Sequence, residues 1–243
     1  MTIKVLIVDD SALIRSLLTE IIDADPGMRV IGAAPDAYVA KDYVNKFSPD
    51  VITLDIEMPK VDGLTFLEKL MKARPTPVVM ISTLTEQGAE ATLRSLELGA
   101  IDFVPKPKLG VAQGIEEYRE FILDKIRTAS LSKVKPIKKR ADKAIKPLTL
   151  MGTERIIAIG ASTGGTEAIK SVLMGLPANT PAIVITQHMP PGFTTSFATR
   201  LNNLCKMNVV EAKGGERLLP GNVYLAPGHL HMEVTKSGAD YKI

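Results

Sequence analysis

The chain has 243 residues, of which 45% are hydrophobic and 23% charged, with a net charge of +3. This composition is typical of a globular protein, and no apolar run approaches the roughly 18 residues of a membrane span. The amino terminus lacks a secretory pattern because Asp9 and Asp10 directly follow its first apolar run. The single cysteine, Cys205, excludes an internal disulfide and a multi-cysteine metal site. We therefore expect a cytoplasmic protein that is not inserted into a membrane.

Residues 1–128 alternate apolar, strand-like runs with runs that have helical spacing. Five strands are predicted, at 3–8, 28–34, 51–56, 77–82 and 102–104. Five helices are predicted, at 12–22, 40–47, 63–71, 88–98 and 116–126. This alternation predicts a doubly wound, flavodoxin-like domain in which a five-stranded parallel sheet is covered on both faces.

Positive charge is concentrated between residues 129 and 150. This segment contains seven lysines and arginines and one acidic residue, so it carries +6 and the rest of the chain −3. Together with Pro136 and Pro147, the charge is typical of a solvated linker between domains. A nucleic-acid partner would depend on this segment alone, and residues 151–243 show no helix-turn-helix pattern. We therefore expect no binding to nucleic acid.

Beyond the linker the alternation resumes, over residues 151–243. Strand-like runs lie at 154–160, 181–187, 208–212 and 222–227, and helix-like runs at 166–176 and 193–203. The pattern predicts part of a second α/β domain with a mostly parallel sheet.

Several polar residues of the first domain stand where predicted strands end: Asp9, Asp10, Asp55, Ser82 and Lys106. The carboxyl ends of parallel strands share one edge of the sheet, so these side chains are expected to converge. Crowded carboxylates raise each other's pKa, and a hard cation such as Mg²⁺ relieves the repulsion. The set suits a carboxylate that accepts a phosphoryl group, whereas the alternative is a group of solvated loop residues.

The segments VDDSALIR (8–15) and DIEMPKVDG (55–63), with the Ser82 and Lys106 pairing, resemble the receiver domain of bacterial two-component response regulators. The resemblance covers about residues 1–125 and implies that Asp55 accepts phosphate from a histidine kinase. It implies a Mg²⁺ site with four ligands: Asp9, Asp10, Asp55 and the backbone carbonyl of Glu57. It also implies three residues that respond to the phosphoryl group: Ser82 by contact, Lys106 by pairing, and Phe103 as the aromatic switch.

The stretch Gly160–Gly164 (GASTG) matches G-x-S-x-G between a predicted strand and helix. A sharp turn there would project the Ser162 hydroxyl beside the free N–H groups of a helix start, with Thr163 and Gly164 as candidate oxyanion or turn residues. His188 ends the next strand, and neighbouring strands lie about 5 Å apart, so it is the candidate base. A plain glycine-rich turn remains the alternative. His229 and His231 form either a metal-binding pair or, as we expect, a solvated hairpin turn.

Three segments follow the receiver-like residues in the chain: IGASTGGTEA (159–168), QHMPPGFTTSFATRLN (187–202) and GERLLPGNVYLAPG (215–228). In this order they are similar to the chemotaxis protein-glutamate methylesterase family. The resemblance implies hydrolysis of glutamate γ-methyl esters, and deamidation of glutamines, on methyl-accepting chemoreceptors. It implies attack by Ser162, proton transfer by His188, and phosphorylation of Asp55 to relieve a block that the receiver places over the site.

The family's catalytic triad also contains an aspartate well downstream of the histidine. The acidic residues after His188 are Glu211, Glu216, Glu233 and Asp240, and none stands in the family's motif. We therefore expect either a fragment of a longer product or a naturally truncated enzyme. The alternative function is a catalytically inactive response regulator that acts as a phosphate sink or receptor-docking module.

Overall fold

The structure is a computed structural model. It describes residues 2–83, 85–106, 115–134, 155–238 and 240–243. The chain divides into two compact units, Met1–Lys138 and Lys139–Ile243. Among the described residues, no helix has the length and apolar character needed to cross a membrane.

The first unit is built on a five-stranded sheet. Its strands are β1 (Ile3–Val8), β2 (Met28–Ala34), β3 (Val51–Asp55), β4 (Val78–Ser82) and β5 (Asp102–Pro105). They lie in the order β2-β1-β3-β4-β5, and every neighbouring pair is parallel. Strands β3 and β4 are buried along their whole length, which explains their continuous apolar sequences. The predicted five-stranded parallel fold is confirmed.

Among the described residues, five helices pack around this sheet: α1 (Ala12–Asp23), α2 (Ala37–Phe47), α3 (Gly63–Ala73), α4 (Glu86–Glu97) and α5 (Ile115–Ser130). The first four begin at side chains that accept a backbone N–H of the first turn: Ser11, Asp36, Asp62 and Thr85. Helices α1 and α5 contribute Leu18 and Ile122 to one apolar core with the sheet. Helix α5 extends two residues into the predicted linker, whose residues 135–150 lie outside the described part of the chain.

The described residues of the second unit form a four-stranded parallel sheet and two helices. Its elements are β6 (Ile156–Ala161), α6 (Gly165–Met174), β7 (Ala182–Gln187), α7 (Phe193–Leu204), β8 (Asn208–Glu211) and β9 (Asn222–Leu225). The strand order is β6-β7-β9-β8, so β9 inserts between β7 and β8. The predicted second parallel sheet is confirmed.

An antiparallel hairpin follows this sheet, formed by β10 (Thr235–Ser237) and β11 (Asp240–Lys242). Tyr241 and Ile243 pack against a buried cluster that includes Val184, Leu218 and Tyr224. This hairpin was not predicted from the sequence, because its strands are only three residues long and β10 is entirely exposed.

Candidate functional site

An acidic cluster lies at the carboxyl edge of the first sheet. Asp9 and Asp10 directly follow β1, and Asp55 is the last residue of the adjacent parallel strand β3. One carboxylate oxygen from each of the three lies within 4.8 Å of the others. Asp9 and Asp55 are buried, at 0% and 1% exposure, whereas Asp10 is exposed. The convergence predicted for these three carboxylates is therefore present in the fold.

Lys106 is the cation that faces this cluster. Its backbone N–H donates to the Ser82 carbonyl over 2.7 Å, which fixes the end of β5 beside the end of β4. Its Nζ donates to Asp55 Oδ2 over 2.8 Å and lies 3.5 Å from Asp9 Oδ2. Burial raises the pKa of Asp55 to about 6, outweighing the hydrogen bond from Lys106, and burial likewise raises the pKa of Asp9.

The residues of this edge fit a divalent cation. Among the described residues, Asp9 Oδ2 is buried and accepts no hydrogen bond, so it is available as a ligand. Three carboxylates lie close together beside one lysine, and burial leaves those of Asp9 and Asp55 poorly solvated; a hard cation with oxygen ligands would relieve both conditions. Glu57 lies just beyond β3: its N–H donates to Asp55 Oδ1 over 3.2 Å, and its exposed side chain accepts from Thr83.

Ser82 and Phe103 are both buried on the strands beside this cluster. The Ser82 hydroxyl is bonded to helix α4: Thr92 Oγ1 donates to it over 2.7 Å, and the Gly88 carbonyl lies 3.3 Å away. Phe103 lies in β5, and its N–H donates to Asp102. The sequence analysis missed Thr92, because nothing in a helical threonine indicates a partner on a strand. The roles assigned to Ser82 and Phe103 stay predictions.

Gly63 is a second residue that the sequence analysis missed, although it lies within the DIEMPKVDG segment. It is the first residue of α3, and a Cβ at this position would lie 2.0 Å from the carbonyl oxygen of Asp55. Only a residue without a side chain lets α3 begin this close to the end of β3. Gly63 therefore holds the backbone of the candidate phosphoacceptor in place.

Ser162 and His188 lie together at the carboxyl edge of the second sheet. Strands β6 and β7 pair in parallel up to Ala161 and Gln187. Ser162 and His188 are the residues that directly follow these two strand ends. The His188 N–H donates to the Ala161 carbonyl over 3.2 Å, which extends the pairing to this point. Both residues are exposed at this edge.

The turn after Ser162 is tight and opens directly into α6. The Gly165 N–H donates to the Ser162 carbonyl over 2.7 Å, and Gly164, the residue before the helix, has a φ of 74°. That φ lies in the left-handed region, where glycine is strongly favoured. Thr163 is half-buried and Gly164 exposed. The strand, turn and helix that G-x-S-x-G requires are therefore present around Ser162, while the oxyanion role of Thr163 and Gly164 stays a prediction.

His229 and His231 do not lie in a hairpin turn, and the sequence prediction was wrong in this respect. Strand β9 pairs with β7 and β8 instead of with β10, so the segment between β9 and β10 is a loop. The two histidines are exposed in this loop, as expected. Within the described residues, no histidine belongs to a cluster of three or more candidate metal ligands.

Three of the four acidic residues after His188 accept hydrogen bonds from other residues of the second unit. Glu211 accepts hydrogen bonds from the hydroxyls of Thr194 and Thr195, over 2.5 and 2.6 Å. Asp240 pairs with Arg217 over 2.6 Å, and Glu216 accepts the Lys213 N–H over 2.6 Å. That none of these three serves as the acidic member of a triad stays a prediction.

The five-stranded parallel sheet, with its acidic edge and facing lysine, defines a response-regulator receiver joined to a second α/β unit. Comparisons with known proteins agree: residues 5–112 match the response regulator receiver domain, and residues 157–242 match CheB methylesterase. The receiver domain of Thermotoga maritima CheB is 43% identical, with a TM-score of 0.50; the match covers 55% of this chain and 99% of that one.

Curated relatives match the chain along nearly its whole length. It is 60% identical over 100% of its length to protein-glutamate methylesterase/protein-glutamine glutaminase 2 of Pseudomonas aeruginosa, and spans 70% of that protein. It is 58% identical over 99% of its length to the protein-glutamate methylesterase/protein-glutamine glutaminase of Escherichia coli, and spans 69% of it. The chain belongs to the CheB methylesterase family and carries a receiver domain.

Proposed function

We propose that this chain is a phosphorylation-activated chemotaxis protein-glutamate methylesterase that also deamidates glutamine. Its substrates are methyl-accepting chemoreceptors, and it works in the cytoplasm. The observation that carries the proposal is the placement of Ser162 and His188 one residue beyond the paired ends of β6 and β7. The names of the relatives, methylesterase and glutaminase, support the same reaction.

In the proposed ester hydrolysis, the Ser162 hydroxyl attacks the γ-carbonyl carbon of the methylated glutamate. His188 accepts the serine proton and then delivers it to the departing methoxide, which leaves as methanol. Water then attacks the acyl-serine ester, with His188 again taking and returning a proton, and releases glutamate and free Ser162. With a glutamine substrate, ammonia leaves in place of methanol and the second half of the reaction is the same.

In the proposed activation, a carboxylate oxygen of Asp55 takes a phosphoryl group from a histidine kinase. Asp9, Asp10, Asp55 and the Glu57 carbonyl would hold Mg²⁺, which would neutralise charge on the phosphoryl oxygens. Lys106, already 2.8 Å from Asp55, would pair with the new phosphoryl oxygens. The Ser82 hydroxyl, now bonded to Thr92 and Gly88 of α4, would turn to contact the phosphoryl group. That movement gives the receiver a way to report its state through α4.

The test of the hydrolytic site is methanol release from a methylated chemoreceptor by the full chain and by Ser162→Ala. We expect the variant to lose at least about 10³-fold in turnover, because the attacking oxygen is gone. Ser171→Ala is the matched control: Ser171 is an exposed serine further along α6, and its loss should leave turnover unchanged. Methanol release retained in Ser162→Ala would refute the proposal.

A further inference from the structure

Gln187 joins the backbones of the two proposed reacting residues. It is the last residue of β7 and is 8% exposed. Its side-chain Nε2 donates to the Ser162 carbonyl over 3.0 Å and to the His188 carbonyl over 3.3 Å. One amide group therefore bridges the turn after β6 and the segment after β7, at the point where Ser162 and His188 project.

The carbonyl oxygen of the same amide has no hydrogen-bond partner among the described residues. Within the described part of the chain, Gln187 Oε1 is buried and accepts no hydrogen bond, an arrangement that destabilises a fold. This oxygen lies against Gly165, where a Cβ would come within 2.1 Å of it. Gly165 is the second glycine of the Ser-Thr-Gly-Gly turn. Because it has no side chain, it leaves room for the Gln187 amide. A buried amide oxygen without a partner calls for an explanation, and the two hydrogen bonds of Nε2 offer a functional one.

We infer that Gln187 is a positioning residue that sets the separation of Ser162 from His188 for acyl transfer. The inference rests on the function proposed above. Ser162 and His188 follow different strands and are exposed, and strand pairing fixes the backbone only as far as the bond from the His188 N–H to the Ala161 carbonyl. The bridging amide extends that constraint to the carbonyl groups of Ser162 and His188. Moving a reacting group by about 1 Å is enough to lower the rate of such a reaction roughly 10²-fold.

The test compares two amide-to-carboxylate substitutions in the full chain. Gln187→Glu keeps the shape of the side chain but places an oxygen against two carbonyl oxygens. Asn222→Asp makes the same change at the opposite, amino-terminal end of the sheet, where Asn222 Nδ2 donates to the Leu219 and Pro220 carbonyls. We expect kcat for methanol release to fall about 10²-fold in Gln187→Glu, with KM changed by less than about threefold. Asn222→Asp should keep both values.

A second readout does not depend on turnover. The imidazole NMR signals of His188 should shift in Gln187→Glu, while those of His229 and His231 stay in place. Gln187→Met, an uncharged side chain of similar length, provides the same comparison if the glutamate variant does not fold. Unchanged kcat with unchanged His188 signals in a folded variant would overturn the inference, as would an equal loss of kcat in Asn222→Asp. If the unsubstituted chain releases no methanol, the proposed function fails, and the His188 signals alone decide the role of Gln187.

Discussion

At the scale of single residues, the carboxyl edge of the first sheet carries more negative charge than the fold neutralises. Asp9 and Asp55 are buried together, and Lys106 is the cation within ion-pair distance of both. The raised pKa of Asp55, about 6 against an ordinary 3.8, expresses the free-energy cost of ionising this group in the folded state. Such an arrangement costs stability, as is expected of the proposed site for a cation and a phosphoryl group.

The first prediction is that Asp55→Asn stabilises the metal-free receiver at pH 8. A carboxyl whose pKa is raised by folding favours the folded state below its unfolded pKa, and this contribution is lost as pH rises through the folded pKa. The free-energy cost of ionising Asp55 in the folded state, which asparagine removes, is therefore absent below about pH 4 and complete above about pH 6. We expect a gain of about 1–3 kcal/mol at pH 8, measured by urea denaturation in a chelator.

The control for this prediction is Asp42→Asn, the same chemical change at an exposed position on α2. Its effect on the free energy of unfolding should stay within about 0.5 kcal/mol at either pH. If Asp55→Asn gained as much stability at pH 4 as at pH 8, the crowded-carboxylate account would be wrong.

The second prediction concerns Mg²⁺. A cation that binds the folded receiver and not the unfolded chain raises the unfolding midpoint by mass action. We expect Mg²⁺ to raise the thermal midpoint of the unsubstituted chain, and a chelator to reverse the change. Asp55→Asn removes a carboxylate from the cluster and should lose most of this gain. An equal gain in both proteins would show that Mg²⁺ acts elsewhere.

At the scale of elements, a buried ion pair joins α5 to the strand that carries the site lysine. Lys125 on α5 is 2% exposed, and its Nζ donates to Asp102 Oδ2 over 2.7 Å. Asp102 is the first residue of β5, the strand that leads to Lys106. Losing one partner of a buried pair leaves an uncompensated charge, which costs far more than losing a surface pair.

The third prediction is that Lys125→Met lowers the free energy of unfolding of the receiver by about 3–5 kcal/mol. Arg127→Met is the matched control, because Arg127 also lies on α5 and pairs with Asp25 over 2.8 Å, but at an exposed position. It should cost at most about 1 kcal/mol. Asp102→Asn in the Lys125→Met background removes the stranded charge and should restore part of the loss. Equal losses in Lys125→Met and Arg127→Met, measured by urea denaturation, would contradict this account.

The sequence predicted the elements well where burial dictated their composition. Strands β3 and β4 are covered on both faces and are continuously apolar, and the polar residues at their ends meet because parallel strands share an edge. The insertion of β9 between β7 and β8 has no local signal, because it depends on which strand edges meet in the folded chain. The contacts of Gln187 were also unpredictable, since its amide bonds the carbonyl of a residue 25 positions away.

At the scale of the whole molecule, two α/β units use the same structural principle for different chemistry. In each, parallel strands place the candidate reactive side chains at their carboxyl ends. The first unit presents Asp55 beside Lys106, and the second presents Ser162 beside His188. The central claim is that phosphorylation of the first unit controls ester hydrolysis by the second.

The most direct test of this claim measures the rate of methanol release from methylated chemoreceptor by the full chain, with and without a small acyl phosphate and Mg²⁺. We predict that the phosphodonor raises the rate about 5–150-fold, the usual range of coupling between two sites. Asp55→Asn should keep the basal rate without responding to the phosphodonor, and Ser162→Ala should release no methanol under either condition. A rate that ignores the phosphodonor, or a full response in Asp55→Asn, would contradict the account.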